Sequence, residues 1–235
     1  MATRRIVLWD IDHTLIDTGG VGRDLSGQAF EQVTGTRMLR QAKIDGITES
    51  VIFRETAKLH GLPTSRRDFE RFAEALTEAH IARSAELRKR GHVLPGASAA
   101  LDSLGAMPHI VQTVVTGNVR RVAEIKLRVF GLDRTIIWDI GTFGDDDDVR
   151  SKLVRISLGR ATSILGETVT PSDAVLIGDT PADVEAALEN GVPVIAVASG
   201  RSSADELREA GALRVLPDLA DTASVVKMVL EEATA

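Results

Sequence analysis

Two carboxylates two residues apart, Asp10 and Asp12, follow directly on the apolar run Ile6-Val7-Leu8-Trp9, with Thr14 two positions further on. In extended backbone, alternate side chains project to the same side. At a strand end, one such acid can attack an electrophile while the other moves protons, and both can help to hold a metal ion. Three later groups have comparable potential. Thr116-Gly117-Asn118 offers a hydroxyl and backbone N–H groups at a helix start, an arrangement that binds anions. Arg150 and Lys152 open a helix-like stretch, where a cation can neutralise a phosphoryl group or the charge of a transition state. Gly178-Asp179-Thr180-Pro181-Ala182-Asp183 adds two acids, the oxygen donors that a hard cation takes, and Pro181 suits the first turn of a helix. Each group alone is also an ordinary surface pattern: acids cap helices, Thr-Gly-Asn makes turns, and a basic residue at a helix start is commonly solvated. Their succession, each just past an apolar run, argues for one shared crevice. Four acids in one crevice repel one another unless a cation joins them, so a metal belongs to the reading.

The elements that must position these groups are visible as short apolar runs alternating with amphipathic stretches. Strands are expected near 5–9, 110–115, 135–138, 174–177, 193–197 and 213–215, and helices near 119–130, 151–165, 181–190, 203–210 and 221–233. The runs 110–115, 174–177 and 193–197 are almost continuously apolar, as in strands covered on both faces. The alternation predicts a Rossmann-like α/β core with a parallel sheet, and open sheets of this kind place ligands beyond the carboxyl ends of their strands. Gly131, Gly191 and Gly211 follow expected helices and suit left-handed C-terminal positions.

The stretch from 17 to 93 interrupts the alternation with helix-like segments near 22–34, 48–60 and 66–90 and no convincing strand. In the third, Phe69, Phe72, Leu76, Ala79 and Ile81 give the helical apolar spacing. The division expected is therefore a core of residues 1–16 and 94–235 with an inserted helical cap over 17–93, and Leu94-Pro95-Gly96 as the returning hinge. A lid over the nucleophile would exclude water and read the leaving group. Gly20 and Arg23, within Gly19-Gly20-Val21-Gly22-Arg23, are candidate substrate contacts: glycine permits close backbone approach, and Arg23 can meet an anion. Thr48, at a lid-helix start, reads first as a helix cap; Arg37, Arg40, Lys43 and Arg54 are not sorted by sequence.

Bulk properties narrow the partners. The 235 residues carry a net charge of −6, which argues against nucleic-acid binding, and no cysteine, which excludes disulfides and thiolate metal sites. No run approaches the roughly 20 apolar residues of a membrane span. Met-Ala-Thr-Arg-Arg leads directly into the first strand-like run without an apolar leader, so a cytoplasmic protein is the expectation. The oligomeric state is not readable.

In combination, Asp10-Ile11-Asp12-His13-Thr14, Thr116-Gly117-Asn118 and Gly178-Asp179-Thr180-Pro181-Ala182-Asp183 resemble the motifs of the haloacid dehalogenase superfamily, in particular phosphoglycolate-phosphatase-like members with a helical cap. The resemblance spans essentially the whole chain. It implies that Asp10 is a nucleophile forming an aspartyl-phosphate, and that Asp12 protonates the leaving oxygen and then activates water. It implies that Mg²⁺ is held by Asp10, the Asp12 backbone carbonyl and Asp179, with Asp183 in support. Thr116 would bind phosphoryl oxygens, with Thr14, Gly117 and Asn118 also on the substrate side. The partner implied is a small phosphorylated metabolite. Two positions depart from the pattern. His13 stands where glycine is common in relatives and reads as a loop residue. The helix at 150 lacks the usual Lys-Pro, which favours Arg150 for that role with Lys152 as the alternative. The acidic run Asp145–Asp148 beside it reads as a solvated loop rather than a second metal site.

The expected activity is hydrolysis of a small phosphate monoester. A 2-haloacid dehalogenase needs no second acid, so Asp12 argues against one. A phosphonatase would need a lid lysine, for which Lys43 and Lys58 are available. A phosphoryl-transfer mutase would isomerise a sugar phosphate. A non-catalytic, phosphorylatable binding module would be ill served by Asp12, which would speed loss of the phosphoryl group.

Overall fold

The computed structural model describes residues 4–43 and 45–231. In chain order the elements are β1 (Arg5–Trp9), β2 (Ile16–Asp17), α1 (Val21–Thr34), α2 (Glu49–Leu59), α3 (Arg66–Ala82), α4 (Ser84–Arg90), β3 (His92–Val93), α5 (Ala97–Gly105), β4 (Ile110–Val114), α6 (Arg120–Phe130), α7 (Arg150–Leu165), a 3₁₀ turn (Pro171–Asp173), β5 (Ala174–Gly178), α8 (Pro181–Glu189), β6 (Val194–Val197), α9 (Ala204–Glu209), β7 (Arg214–Leu216) and α10 (Thr222–Leu230). Residues 1–3 and the expected continuation of the last helix over 232–233 lie outside the described residues.

Five parallel strands form a sheet in the order β4-β1-β5-β6-β7. Along β1 the side chains alternate in direction though not in polarity. Val7 and Trp9 join a core with α5, α6 and α10, while Ile6 and Leu8 join a second core with α7, α8 and α9. Helices cover both faces, so the strands are apolar on both, and the Rossmann-like α/β expectation holds.

The register decides where the chemistry sits. Trp9 pairs with Val114 on one side and Ile177 on the other. The residues just past all three strands therefore emerge at one edge, at the topological switch point where chain order reverses about β1. Asp10 N–H donates to Ile177 O (2.9 Å) and Val115 N–H to Trp9 O (2.8 Å), which carries the ladder up to the site.

Between β1 and β4 the chain forms a helical insertion, entered and left through the antiparallel pair β2–β3, with Ile16 opposite Val93. Its helices enclose a separate apolar cluster around Phe30, Phe53, Phe69 and Phe72, completed by Val119 and Val122 of the core. Phe53 and Phe72 stack at 4.7 Å between centroids.

Four expectations are corrected. The run 135–138 is no strand: Ile136 makes a single bridge to Gln112, after which the chain turns. The helix expected over 66–90 is two helices broken at Arg83, where a bidentate Arg83–Glu86 pair (2.7 and 2.8 Å) supports the restart. The insertion is not strandless, since β2 and β3 close its base. On α3, Ile81 is 54 % exposed and the buried residue beside it is His80. Gly131, Gly191 and Gly211 all take positive φ, as expected. No helix among the described residues is long and apolar enough to cross a membrane.

Candidate active site

The sharp bend after β1 is tied down locally. His13 N–H donates to Ile16 O (2.7 Å) and Ser199 Oγ donates to His13 O (2.6 Å). His13 is the one non-glycine residue at positive φ (63°) among those described. That backbone explains why glycine suits this position, and a residue with a Cβ holds it at a cost of about 1 kcal/mol.

Asp10 is buried at the centre of the site. Arg150, the first residue of α7, donates from Nη2 to Asp10 Oδ1 (2.6 Å) and to Asp183 Oδ1 (2.5 Å), with a second donation from Nε to Asp183 (2.8 Å). Asp183 is fully committed: its other oxygen accepts from Thr180 Oγ1 (2.6 Å) and Thr180 N–H (3.1 Å) in the capping box that starts α8. Thr14 Oγ1 lies 3.1 Å from Asp179 Oδ1 and 3.4 Å from Asp10 Oδ2, so its single hydrogen serves the two acids between them. Oxygens of Asp10, Asp179 and Asp183 come within 4.8 Å of one another. Burial, the charge of Asp183 and that of Asp12 push the Asp10 carboxyl up to about 7, against the pull of Arg150. Burial and the charges of Asp10 and Asp183 push Asp179 up to about 9. Asp10 and Asp179, all-oxygen donors whose charges repel each other and that of Asp183, fit a hard divalent cation. Two glycines make the packing possible: a side chain at Gly200 would strike the Asp179 carboxyl, and one at Gly178 would strike Asp183.

Asp12 belongs to a different network, one that sequence reasoning missed. Lys126 Nζ donates to both Asp12 oxygens (2.8 and 2.7 Å) and to Asn118 Oδ1 (2.6 Å). Asn118 Nδ2 donates to Asp12 Oδ2 (2.7 Å) and to Thr116 Oγ1 (2.8 Å). Thr116 accepts here, which leaves its hydroxyl hydrogen for an acceptor in the cavity. Burial pushes Asp12 up, but the Lys126 charge and the hydrogen bonds from Lys126 and Asn118 outweigh it and hold the carboxyl below its usual range. Without substrate Asp12 is thus a base, where the sequence reading anticipates a raised pKa once substrate is bound. The signal for Lys126 was available: it sits three and four residues after Ala123 and Val122, on the buried stripe of α6, where a lysine is out of place.

These groups line a cavity of about 150 Å³, with Asp10, Asp12, Thr116, Gly117, Asn118, Arg150, Asp179 and Arg23 in its wall. Four expected residues are not in it. Lys152 turns to solvent and pairs with Asp147 (3.2 Å), because two positions on from Arg150 a helix faces another way. Thr14 lies fully buried between Asp10 and Asp179. Asp183 holds Arg150 from below. Gly20 starts α1 with φ 82°, and the backbone that approaches this turn is that of Arg90 beside Gly19, not a substrate.

The insertion closes over the cavity. A side chain at Gly117 would strike Ile47 O, one at Gly46 would strike Ala182, and Glu49 N–H donates to Gly117 O (2.8 Å). The acidic run supplies the clasp. Asp148 accepts from Ser50 (2.5 Å) and Arg54 (2.6 Å), and its carbonyl accepts from Thr48 Oγ1 (3.2 Å). Thr48 stands at the N-cap position of α2, yet its hydroxyl serves this clasp rather than the helix. Asp145, Asp146 and Asp147 are each committed to other donors, and the one metal-competent acid group among the described residues is Asp10, Asp179 and Asp183.

Residues 7–188 match the family model of the haloacid dehalogenase-like hydrolases. No curated protein sequence matches the chain. Solved structures share the fold across nearly the full length. A hydrolase from Pseudomonas syringae superposes with a TM-score of 0.69 at 21% identity, covering 96% of this chain and 99% of its own. A protein from Bacteroides vulgatus assigned as a β-phosphoglucomutase gives 0.66 at 17%, covering 98% and 91%. A protein from Haemophilus somnus assigned as a phosphoglycolate phosphatase gives 0.64 at 17%, covering 96% and 99%. At these identities the likeness establishes the fold alone.

Proposed function

Because the chain belongs to the haloacid dehalogenase-like hydrolase family, we propose that it hydrolyses a small phosphate monoester through an aspartyl-phosphate on Asp10, with Mg²⁺ as its metal and residues 17–93 as its cap. The observation that carries this reading is the convergence of Asp10, Asp12, Thr116 and Arg150 on one covered cavity directly over the Asp10–Asp179–Asp183 cluster. A cavity of about 150 Å³ suits a molecule of roughly benzene size, which supports a small substrate.

Phosphoryl transfer needs positioning and charge neutralisation more than covalent ingenuity. An Asp10 oxygen attacks phosphorus as the ester oxygen leaves. Asp12, having gained a proton on formation of the complex, gives it to that oxygen. Asp12 then takes a proton from water, which attacks the aspartyl-phosphate and frees Asp10 and phosphate. Thr116 donates to a phosphoryl oxygen, and Arg150, now shared by Asp10 and Asp183, balances the negative charge that gathers there. Asp10 and Asp179 with the Asp12 carbonyl would hold Mg²⁺, which when bound would add to the neutralisation of the phosphoryl oxygens. Asp183 positions Arg150. The clasp at Asp148 keeps the cap seated while water is excluded.

Phosphate release from a generic aryl phosphate, with and without Mg²⁺, tests the reading. Metal-dependent release is the expected outcome; no release over a broad range of pH and divalent metals overturns it. An isomerised sugar phosphate in place of free phosphate would assign the chain to the mutases.

Lys126 makes a second test. In Lys126→Met, Asp12 keeps its burial and loses the charge that opposes it, so its pKa rises. The expected loss is in kcat, about 10²-fold, through the step in which Asp12 takes a proton from water, in the range of general acid–base contributions. The acid limb of the pH–rate profile moves to higher pH. An unmoved limb would show that Lys126 only fills space.

A further inference from the structure

Beyond Asp12 the cavity wall passes to the cap, and the groups there have no part in the chemistry just described. His80, on α3, is 1 % exposed and lines the cavity. Its Nδ1 lies 2.8 Å from Leu76 O. A carbonyl can only accept, so Nδ1 carries the hydrogen and Nε2 presents a lone pair. Nε2 is the one buried side-chain nitrogen or oxygen without a hydrogen-bond partner among the described residues. Buried polar atoms are almost always paired, and an exception in the wall of a site calls for a functional account. Burial and the nearby charge of Lys126 push the ring down to about 4, so it stays neutral and keeps that lone pair at physiological pH.

Glu49, the first residue of α2, lines the same cavity, and its N–H is anchored to Gly117 O (2.8 Å). The ammonium of Lys126, the nearest cation to both, already donates three times, to Asp12 and Asn118. Burial pushes the Glu49 carboxyl up to about 7, so above that pH it is ionised and this end of the cavity holds two acceptors, with the Lys126 charge already committed. Arg23, exposed on α1, is the cation that lines the cavity from the cap.

Resting on the phosphatase reading, we propose that His80 and Glu49 form the leaving-group subsite, and that it accepts hydrogen bonds from a free hydroxyl on the alcohol half of the ester. The substrate class is a hydroxylated phosphate monoester, such as a polyol or sugar phosphate of few carbons. An ester whose alcohol half ends in a carboxylate would set a second anion against Glu49 and the His80 lone pair, and is disfavoured.

Three two-carbon esters separate the possibilities: 2-hydroxyethyl phosphate, ethyl phosphate and phosphoglycolate. The expected kcat/KM for the hydroxyethyl ester exceeds that for each of the others by about tenfold or more, since a site built to pair with a hydroxyl discriminates against its absence. In His80→Phe, which keeps a ring and removes the acceptor, the hydroxyethyl-to-ethyl ratio falls about tenfold. Glu49→Met, which also removes the acceptor, is read by the same ratio and serves where His80→Phe does not fold. Phosphoglycolate as the best of the three, through Arg23, overturns the proposal, as does a ratio that neither substitution moves. Binding separates this from failure of the phosphatase reading. Should no ester turn over, 3-hydroxypropylphosphonate must still bind more tightly than propylphosphonate and shift the ¹⁵N resonance of His80 Nε2; equal binding with no shift sinks the subsite.

Discussion

Asp10→Asn abolishes phosphate release, with an expected fall in kcat of at least about 10⁴-fold, the range seen when a nucleophile that acts within a unit is removed. The amide has the shape of the carboxylate and cannot attack phosphorus. What distinguishes this result from damage to the fold is stability. Burial and the charges of Asp183 and Asp12 raise the Asp10 pKa to about 7, so its ionised form is disfavoured in the folded state. A carboxyl with a raised folded pKa contributes stability below its unfolded value near 3.8, and that contribution is lost as pH rises through about 7. A neutral asparagine escapes the loss. Arg150 gives up one partner and keeps Asp183. The metal-free variant is therefore expected to melt no lower than wild type at pH 8, by calorimetry, while being inactive. A variant that is both inactive and several degrees less stable would mean that Asp10 is chiefly structural.

Metal binding is strongly coupled to pH. Burial and the charge of Asp183 push Asp10 up to about 7, burial and the charges of Asp10 and Asp183 push Asp179 up to about 9, and a bound divalent cation must displace whatever protons they hold. Between about pH 5 and 9 the metal-free folded chain holds protons that the unfolded chain has lost. Its melting temperature therefore falls as pH rises through this window. Mg²⁺ affinity moves the other way, tightening about tenfold per pH unit for each proton displaced. Titration calorimetry in buffers of different ionisation heat reads the proton count directly, and the count should fall toward zero above about pH 9. Affinity independent of pH from 6 to 9 would refute the picture of mutually repelling acids joined by the cation.

The fold was legible where burial leaves a one-dimensional trace. The doubly covered strands β1, β4, β5 and β6 are apolar on both faces, so they stand out as runs, and proline or glycine punctuates the helices around them. Legibility failed where the deciding contact is long-range. Thr135-Ile136-Ile137-Trp138 has the composition of a strand, yet beyond the edge of β4 it finds one bridge and turns away. The break at Arg83 carries no proline or glycine. β2 and β3 are two residues each, too short to show a period. The site divided in the same way. Asp10, Asp12, Thr116, Arg150 and Asp179 reach one cavity wall because each comes just after an expected strand or opens an expected helix. Thr14, Gly20 and Lys152 were misplaced because adjacency in sequence does not fix which way a side chain turns.

By itself, then, the sequence determined the order of the elements and that an acid pair, a hydroxyl, a cation and two further acids would meet at one sheet edge. Parallel strands in register bring their carboxyl ends, and the loops attached to them, to that same edge. Tertiary structure alone decided what each group touches there. Lys126 and His80 read as a lysine and a histidine on two amphipathic helices; only the packing of α6 and α3 against the crevice sets one on Asp12 and leaves the other's lone pair in the cavity wall. Both are buried polar groups on otherwise apolar stripes. Asp12 lies more than a hundred residues from Lys126 in the chain, and His80 Nε2 has no partner among the described residues, so no local pattern records either relationship.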